Sequence, residues 1–134
     1  MTEDVRASYD SSLPAVRRSV SVAEALALLP CAGGARFAKA LEHGSLVVEI
    51  YAPRGVDSQQ PHTRDELYIV VSGVGEFVNG DERHGFTPGH VLFVPAGIVH
   101  RFENFTEDLV VWVVFYGPEG GEGERMKDEG GRMK

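Results

Sequence analysis

Between residues 44 and 116 the chain repeats one pattern: a short run of apolar residues, alternating with polar ones or unbroken, and then a glycine, proline or asparagine turn. Valine, isoleucine, tyrosine and phenylalanine fill these runs, and such side chains fit the pleated surface of a sheet. The pattern predicts six strands, near 45–52, 65–71, 75–79, 91–94, 99–104 and 109–116. "VNGD" at 78–81 carries the Asn-Gly pair of a tight hairpin, and "TPGH" at 87–90 and "PAGI" at 95–98 are further turns. No long helical period lies between the strands, which excludes a parallel α/β sheet and leaves an antiparallel sandwich or small barrel of the all-β class.

The ends of the chain follow other patterns. Ser21 and Glu24 have the spacing of a capping box, alanine and leucine fill the next turn, and Pro30 stops it, so a short helix is predicted over 22–29. Residues 1–18 show no period and are expected to form an arm, leaving 19–116 as the barrel domain. From 117 to 134 glycine and charge leave nothing to bury, and this segment is expected to be a disordered tail.

At 134 residues the chain fits one domain, and its net charge of −7 changes the list of partners. The longest basic run is Arg17-Arg18, so the electrostatic attraction on which nucleic-acid and anionic-membrane binding rest is missing. The unbroken apolar run "LVVWVVFY" at 109–116 falls far short of the roughly 20 residues a spanning helix needs. A single cysteine, Cys31, cannot close an internal disulfide, and the start "MTEDVR" is acidic where a secretory signal is basic and then apolar. The expected location is cytoplasmic.

The candidate chemistry sits at the mouth of the second predicted strand. Side chains two and four apart share a face of a strand, so a strand running back through 60 places Gln60, His62 and Glu66 beside Tyr68 and Val70. "VHRFEN" brings His100 onto another strand, entered through the "PAG" turn, with Phe102 on the same face. Two imidazoles and one carboxylate inside a barrel form the facial set of non-heme Fe(II) sites, and such donors also suit Mn, Ni or Zn. Alternatively His62 and Glu66 simply pair at the sheet edge, where an exposed ion pair contributes about 0–1 kcal/mol.

These residues resemble the two motifs of the cupin superfamily, G-x5-H-x-H-x3-4-E-x6-G and G-x5-P-x-G-x2-H-x3-N. Gly89, Pro95, Gly97, His100 and Asn104 match every fixed position of the second. Gly55, His62, Glu66 and Gly73 recover the first, with Gln60 in place of its first histidine and one residue missing before it. The resemblance implies a double-stranded β-helix, or jelly-roll, barrel with one divalent transition metal held by His62, Glu66 and His100. Gln60 is then the candidate fourth ligand, or Gln59 if the strand bulges.

Other residues keep two readings. Glu49, Tyr51 and Tyr68 are candidate catalytic groups; Glu49 and Tyr51 equally suit the solvent face of their strand. Tyr68, Phe93, Phe102 and Trp112 are expected to wall the pocket, with Trp112 and Phe115 on opposite faces of the last strand. His43, His84 and His90 lie in or beside turns and are expected at the surface. The resulting reading is a metal-binding enzyme of dioxygenase, isomerase or lyase type acting on a small organic molecule. A non-catalytic metal or small-molecule binding or sensing protein is its competitor. Exposed strand edges, the apolar helix and "LVVEIY" at 46–51 suggest a homodimer.

Overall fold

The structure, a computed structural model, describes residues 17–122. Its helix α1, Val22–Leu26, opens with the predicted capping box: Glu24 N donates to Ser21 Oγ at 3.0 Å and Ser21 N donates to Glu24 Oε1 at 2.8 Å. The helix is shorter than expected. Leu28 and Leu29 donate to the carbonyls of Ala25 and Leu26, three residues back, so the chain tightens into 3₁₀ turns before Pro30.

Eight strands follow among the described residues: β1 Phe37–His43, β2 Leu46–Tyr51, β3 Asp65–Ser72, β4 Gly75–Asn79, β5 Glu82–Phe86, β6 Val91–Val94, β7 His100–Glu103 and β8 Val110–Tyr116. They form two antiparallel sheets, ordered β1-β2-β8-β3-β6 and β5-β4-β7. The two strands beyond the six expected are the ones with weak strand sequences. β1 is "FAKALEH", with alanine and charge where β-branched residues usually stand, and β5 is the polar "ERHGF". Both are recruited by neighbours: β1 by the hairpin to β2, and β5 by the two-residue Gly80-Asp81 loop that pairs Asn79 with Glu82.

Strand alternation divides the apolar residues into two clusters. Between the sheets lie Tyr68, Val70, Phe77, Phe86, Leu92, Val94, Phe102, Leu109, Val111 and Val113. On the outer face of the five-stranded sheet, Ala25 of α1 packs on Ala38 and Ile50, with Trp112 beside them. The motif residues Gly73 and Asn104 serve this packing. Gly73 has φ +94° and a Cβ there would come within 2.6 Å of Leu109 Cα, so only glycine fits. Asn104 takes φ 51° at the end of β7 and donates from Nδ2 to Glu76 Oε1 at 3.0 Å.

Residues 117–122, which follow the expected boundary at 116, lie against the barrel. Gly120 N donates to Thr63 O at 2.7 Å, and Glu122 N to the buried Asp65 Oδ2 at 2.9 Å. The expected arm, but for its last residues, and the tail from 123 onward lie outside the described residues.

Candidate functional site

His62, Glu66 and His100 converge at one end of the space between the sheets, with one ligand atom from each lying within 4.8 Å of the others. Glu66 is the second residue of β3 and points inward with Tyr68 and Val70, as the period-two alternation requires. His100 opens β7 from the opposite sheet. The two are joined by the turn between β6 and β7, where Gly97 N donates to His62 O at 2.7 Å, tying one motif to the other.

Within the cluster His62 Nδ1 lies 2.7 Å from Glu66 Oε1, and His100 Nε2 lies 3.4 Å from the same oxygen. The bond to Glu66 is the main reason the His62 imidazole is pushed above its usual range. His100 Nδ1 sits 2.8 Å from Ile98 O, which can only accept, so Nδ1 carries the proton and Nε2 presents its lone pair inward. Glu66 Oε2 and His100 Nε2 are buried with no hydrogen-bond partner among the described residues. Leaving such atoms unpaired costs about 1–3 kcal/mol each, more for a charged group. Two imidazole nitrogens and a carboxylate, two of their atoms otherwise unsatisfied, are a donor set that fits a divalent transition metal.

His62 and Tyr68 line an open cavity of about 480 Å³. β2 supplies Glu49 and Tyr51, β8 supplies Val113 and Phe115, and the 52–59 segment supplies Arg54, Val56, Ser58 and Gln59. Glu49 and Tyr51 therefore face the cavity rather than solvent. Burial raises the Glu49 carboxyl above its usual range, partly opposed by His62. Burial also raises Tyr51, whose hydroxyl donates to Asp57 Oδ1, and raises Tyr68, whose hydroxyl donates to Gln59 Oε1 at 2.9 Å.

Several expected placements differ. β3 begins at Asp65, so strand alternation does not reach back to Gln60, which is exposed; Gln59 lines the cavity instead. Phe93 pairs with Leu67 on the outer face and is 42% exposed. Trp112 faces α1, and Phe115 walls the cavity in its place. Phe102 faces inward but lies in the core, its ring 5.1 Å from that of Tyr68, rather than on the cavity wall. His43 and His90 are exposed in or beside turns, whereas His84 sits within β5, half-buried on the face it shares with Phe86 and opposite Phe77, with its Nε2 3.4 Å from Glu82 Oε1.

The sequence reading also passed over Arg36, Arg54 and Asp57. They lie in or next to irregular segments where no periodicity announces a direction.

Comparison with known proteins settles the family. The model of the cupin domain matches residues 47–116, more than half of the chain. This chain is a cupin. It is similar to an uncharacterized protein of Streptomyces coelicolor, 49% identical over 63 residues, covering 47% of this cupin and 60% of that protein, so the matched part is less than two thirds of the relative's length. Among solved structures, an uncharacterized protein with a double-stranded β-helix domain from Klebsiella pneumoniae superposes with a TM-score of 0.58 at 24% identity, covering 78% of this cupin and 94% of its own chain. A proposed mannose-6-phosphate isomerase of Ralstonia eutropha superposes with a TM-score of 0.52 at 27% identity, covering 61% and 83%. No helix of the described residues is long and apolar enough to cross a membrane.

Proposed function

We propose that this cupin is a metal-dependent enzyme acting on a small organic molecule, with His62, Glu66 and His100 as ligands of one divalent transition metal. The observation that carries the reading is the pair of buried atoms, Glu66 Oε2 and His100 Nε2, unpartnered among the described residues and beside His62, which lines a cavity of about 480 Å³. A metal bound there would act as a Lewis acid toward a polar group of the substrate. The chain's own contributions are positional. Ile98 O holds the His100 tautomer, Phe115 and Val113 keep water from one wall, and Glu49 is the cavity carboxyl placed to take or give a proton.

Metal analysis of protein purified without chelator tests this. About one equivalent per chain is expected in the wild type and in His43→Ala, and none in His100→Ala; equal occupancy in all three would sink the assignment. The competing non-catalytic binding function draws support from the two tyrosine hydroxyls, which are committed to Asp57 and Gln59 and leave Glu49 as the one candidate proton-transfer group. A Glu49→Gln variant that keeps full turnover, once a substrate is in hand, would favour it.

We also infer a homodimer. α1 covers the outer face over Ile50 and Trp112, but the rows Phe93–Leu67–Val114 and Val91–Ile69 continue across β6, β3 and β8 as an apolar surface, with Val91 59% exposed. Sedimentation should give twice the 14.6 kDa chain mass, and Val91→Asp should shift the protein toward monomer.

A further inference from the structure

We propose that the cavity takes a small organic acid, its oxyanion end bound by Arg36 and Arg54 at the rim and its other end directed to His62. The proposal extends the reading of the cavity as a substrate site, but the oxyanion contact itself requires no metal.

The distribution of charge carries it. This chain has a net charge of −7, four of its eight described lysines and arginines are paired with carboxylates, and Arg64 is committed to the carbonyls of Ser45 and Gly117. Arg17 pairs with Glu24, Lys39 with Glu42, and Arg83 and Arg101 with Glu103. Arg36 and Arg54 have no carboxylate partner among the described residues, and both line the cavity. Their placement is built. Ala52 N donates to Arg36 O at 2.9 Å, and Arg36 Nε donates back to Ala52 O at 3.0 Å. That reciprocal pair fixes the Arg36 guanidinium, whose two Nη groups have no hydrogen-bond partner among the described residues, and holds residue 52, two before Arg54, against it. A planar guanidinium with free Nη donors is the side chain best suited to a carboxylate or phosphoryl oxygen. The interior beyond them is polar at Glu49 and His62 and apolar at Val113 and Phe115, and a volume near 480 Å³ admits a small molecule with a polar group at each end.

The test is an NMR titration of chelator-treated protein with three probes: succinate, its neutral diamide succinamide, and inorganic phosphate. Succinate should bind and move the resonances of β2 and the 52–59 segment, and succinamide should not. Arg36→Gln and Arg54→Gln should each weaken succinate binding about tenfold, the effect of losing one charge-assisted contact. Arg54 is exposed and without a partner among the described residues, so its replacement leaves the fold intact and keeps the test valid if Arg36→Gln unfolds. Phosphate binding with the same arginine dependence would identify a phosphoryl end, and its absence a carboxylate end. Equal binding of succinate and succinamide, or unchanged succinate binding in Arg54→Gln, would overturn the proposal. His100→Ala separates the two readings: it should lose metal yet keep arginine-dependent succinate binding, so either assignment can fail while the other stands.

Discussion

Asp57 and Glu66 are both buried carboxylates inside the same barrel, 3% and 0% exposed, and their surroundings differ. Asp57 Oδ2 accepts from Phe102 N at 2.8 Å and Gln59 Nε2 at 2.7 Å, while Oδ1 accepts from the Tyr51 hydroxyl and, at 3.4 Å, from Gln59 N. Glu66 Oε1 meets the two imidazoles, and Oε2 has no hydrogen-bond partner among the described residues. A buried charge is tolerated when hydrogen bonds replace its lost hydration. By that criterion Asp57 is architecture, stitching the irregular 52–64 segment to β7 behind the cavity. Glu66 is left with an unpartnered oxygen among the described residues, the atom the proposed metal would take up.

Removing the two carboxylates should therefore have opposite signatures. Asp57→Ala strips the acceptor from a buried backbone N–H, a half-buried amide and a tyrosine hydroxyl at once. Each orphan costs about 1–3 kcal/mol, so a loss of about 3–5 kcal/mol is expected by chemical denaturation. A loss below about 1 kcal/mol would show that Asp57 does not close the segment. Glu66→Gln preserves volume and, in metal-free protein, should move stability by no more than about 1 kcal/mol. Its cost should appear on adding metal: at a hundred times its dissociation constant a ligand stabilises the wild type by about 2.7 kcal/mol, and Glu66→Gln should lose most of that gain. Equal metal-dependent stabilisation of both proteins would place the metal elsewhere.

Tyr51→Phe sharpens the contrast at smaller scale. It removes one donor from Asp57 but leaves three, so about 1 kcal/mol should be lost, with metal uptake unchanged. Coupled loss of metal would mean that the two regions are one energetic unit rather than two.

How much of this was legible in the sequence depended on periodicity. His62, Glu66 and His100 could be read because motif spacing places them, and strand alternation carries Glu66, Tyr68 and Val70 inward. Glu49 and Tyr51 sit on an equally clear strand, but alternation names two faces without saying which is the core; only the pairing of Glu49 with Val113 and Tyr51 with Val111 decides it. The same ambiguity misplaced Trp112 and Phe93. β1 and β5 escaped notice because strand formation there comes from neighbours rather than from propensity. Asp57, Arg36 and Arg54 could not be read at all, since an irregular segment has no period from which to infer a direction.

The smallest expected effect concerns the glutamine pair. Spacing assigns Gln60 to the position of the missing motif histidine, but β3 does not extend that far, and Gln60 is exposed while Gln59 bridges Asp57 and Tyr68. Gln60→His should accordingly leave metal affinity within about twofold, as an exposed substitution away from the site does. Gln59→His should instead cost about 1 kcal/mol of stability, because the Tyr68 hydroxyl and Asp57 Oδ2 each lose the amide partner they share. A marked gain in metal affinity from Gln60→His would show that the 52–64 segment can turn residue 60 inward. In that case the Asp57 hydrogen bonds would hold the segment less firmly than their number suggests, and the distinction between a structural and a ligand-binding carboxylate would weaken from the Asp57 side.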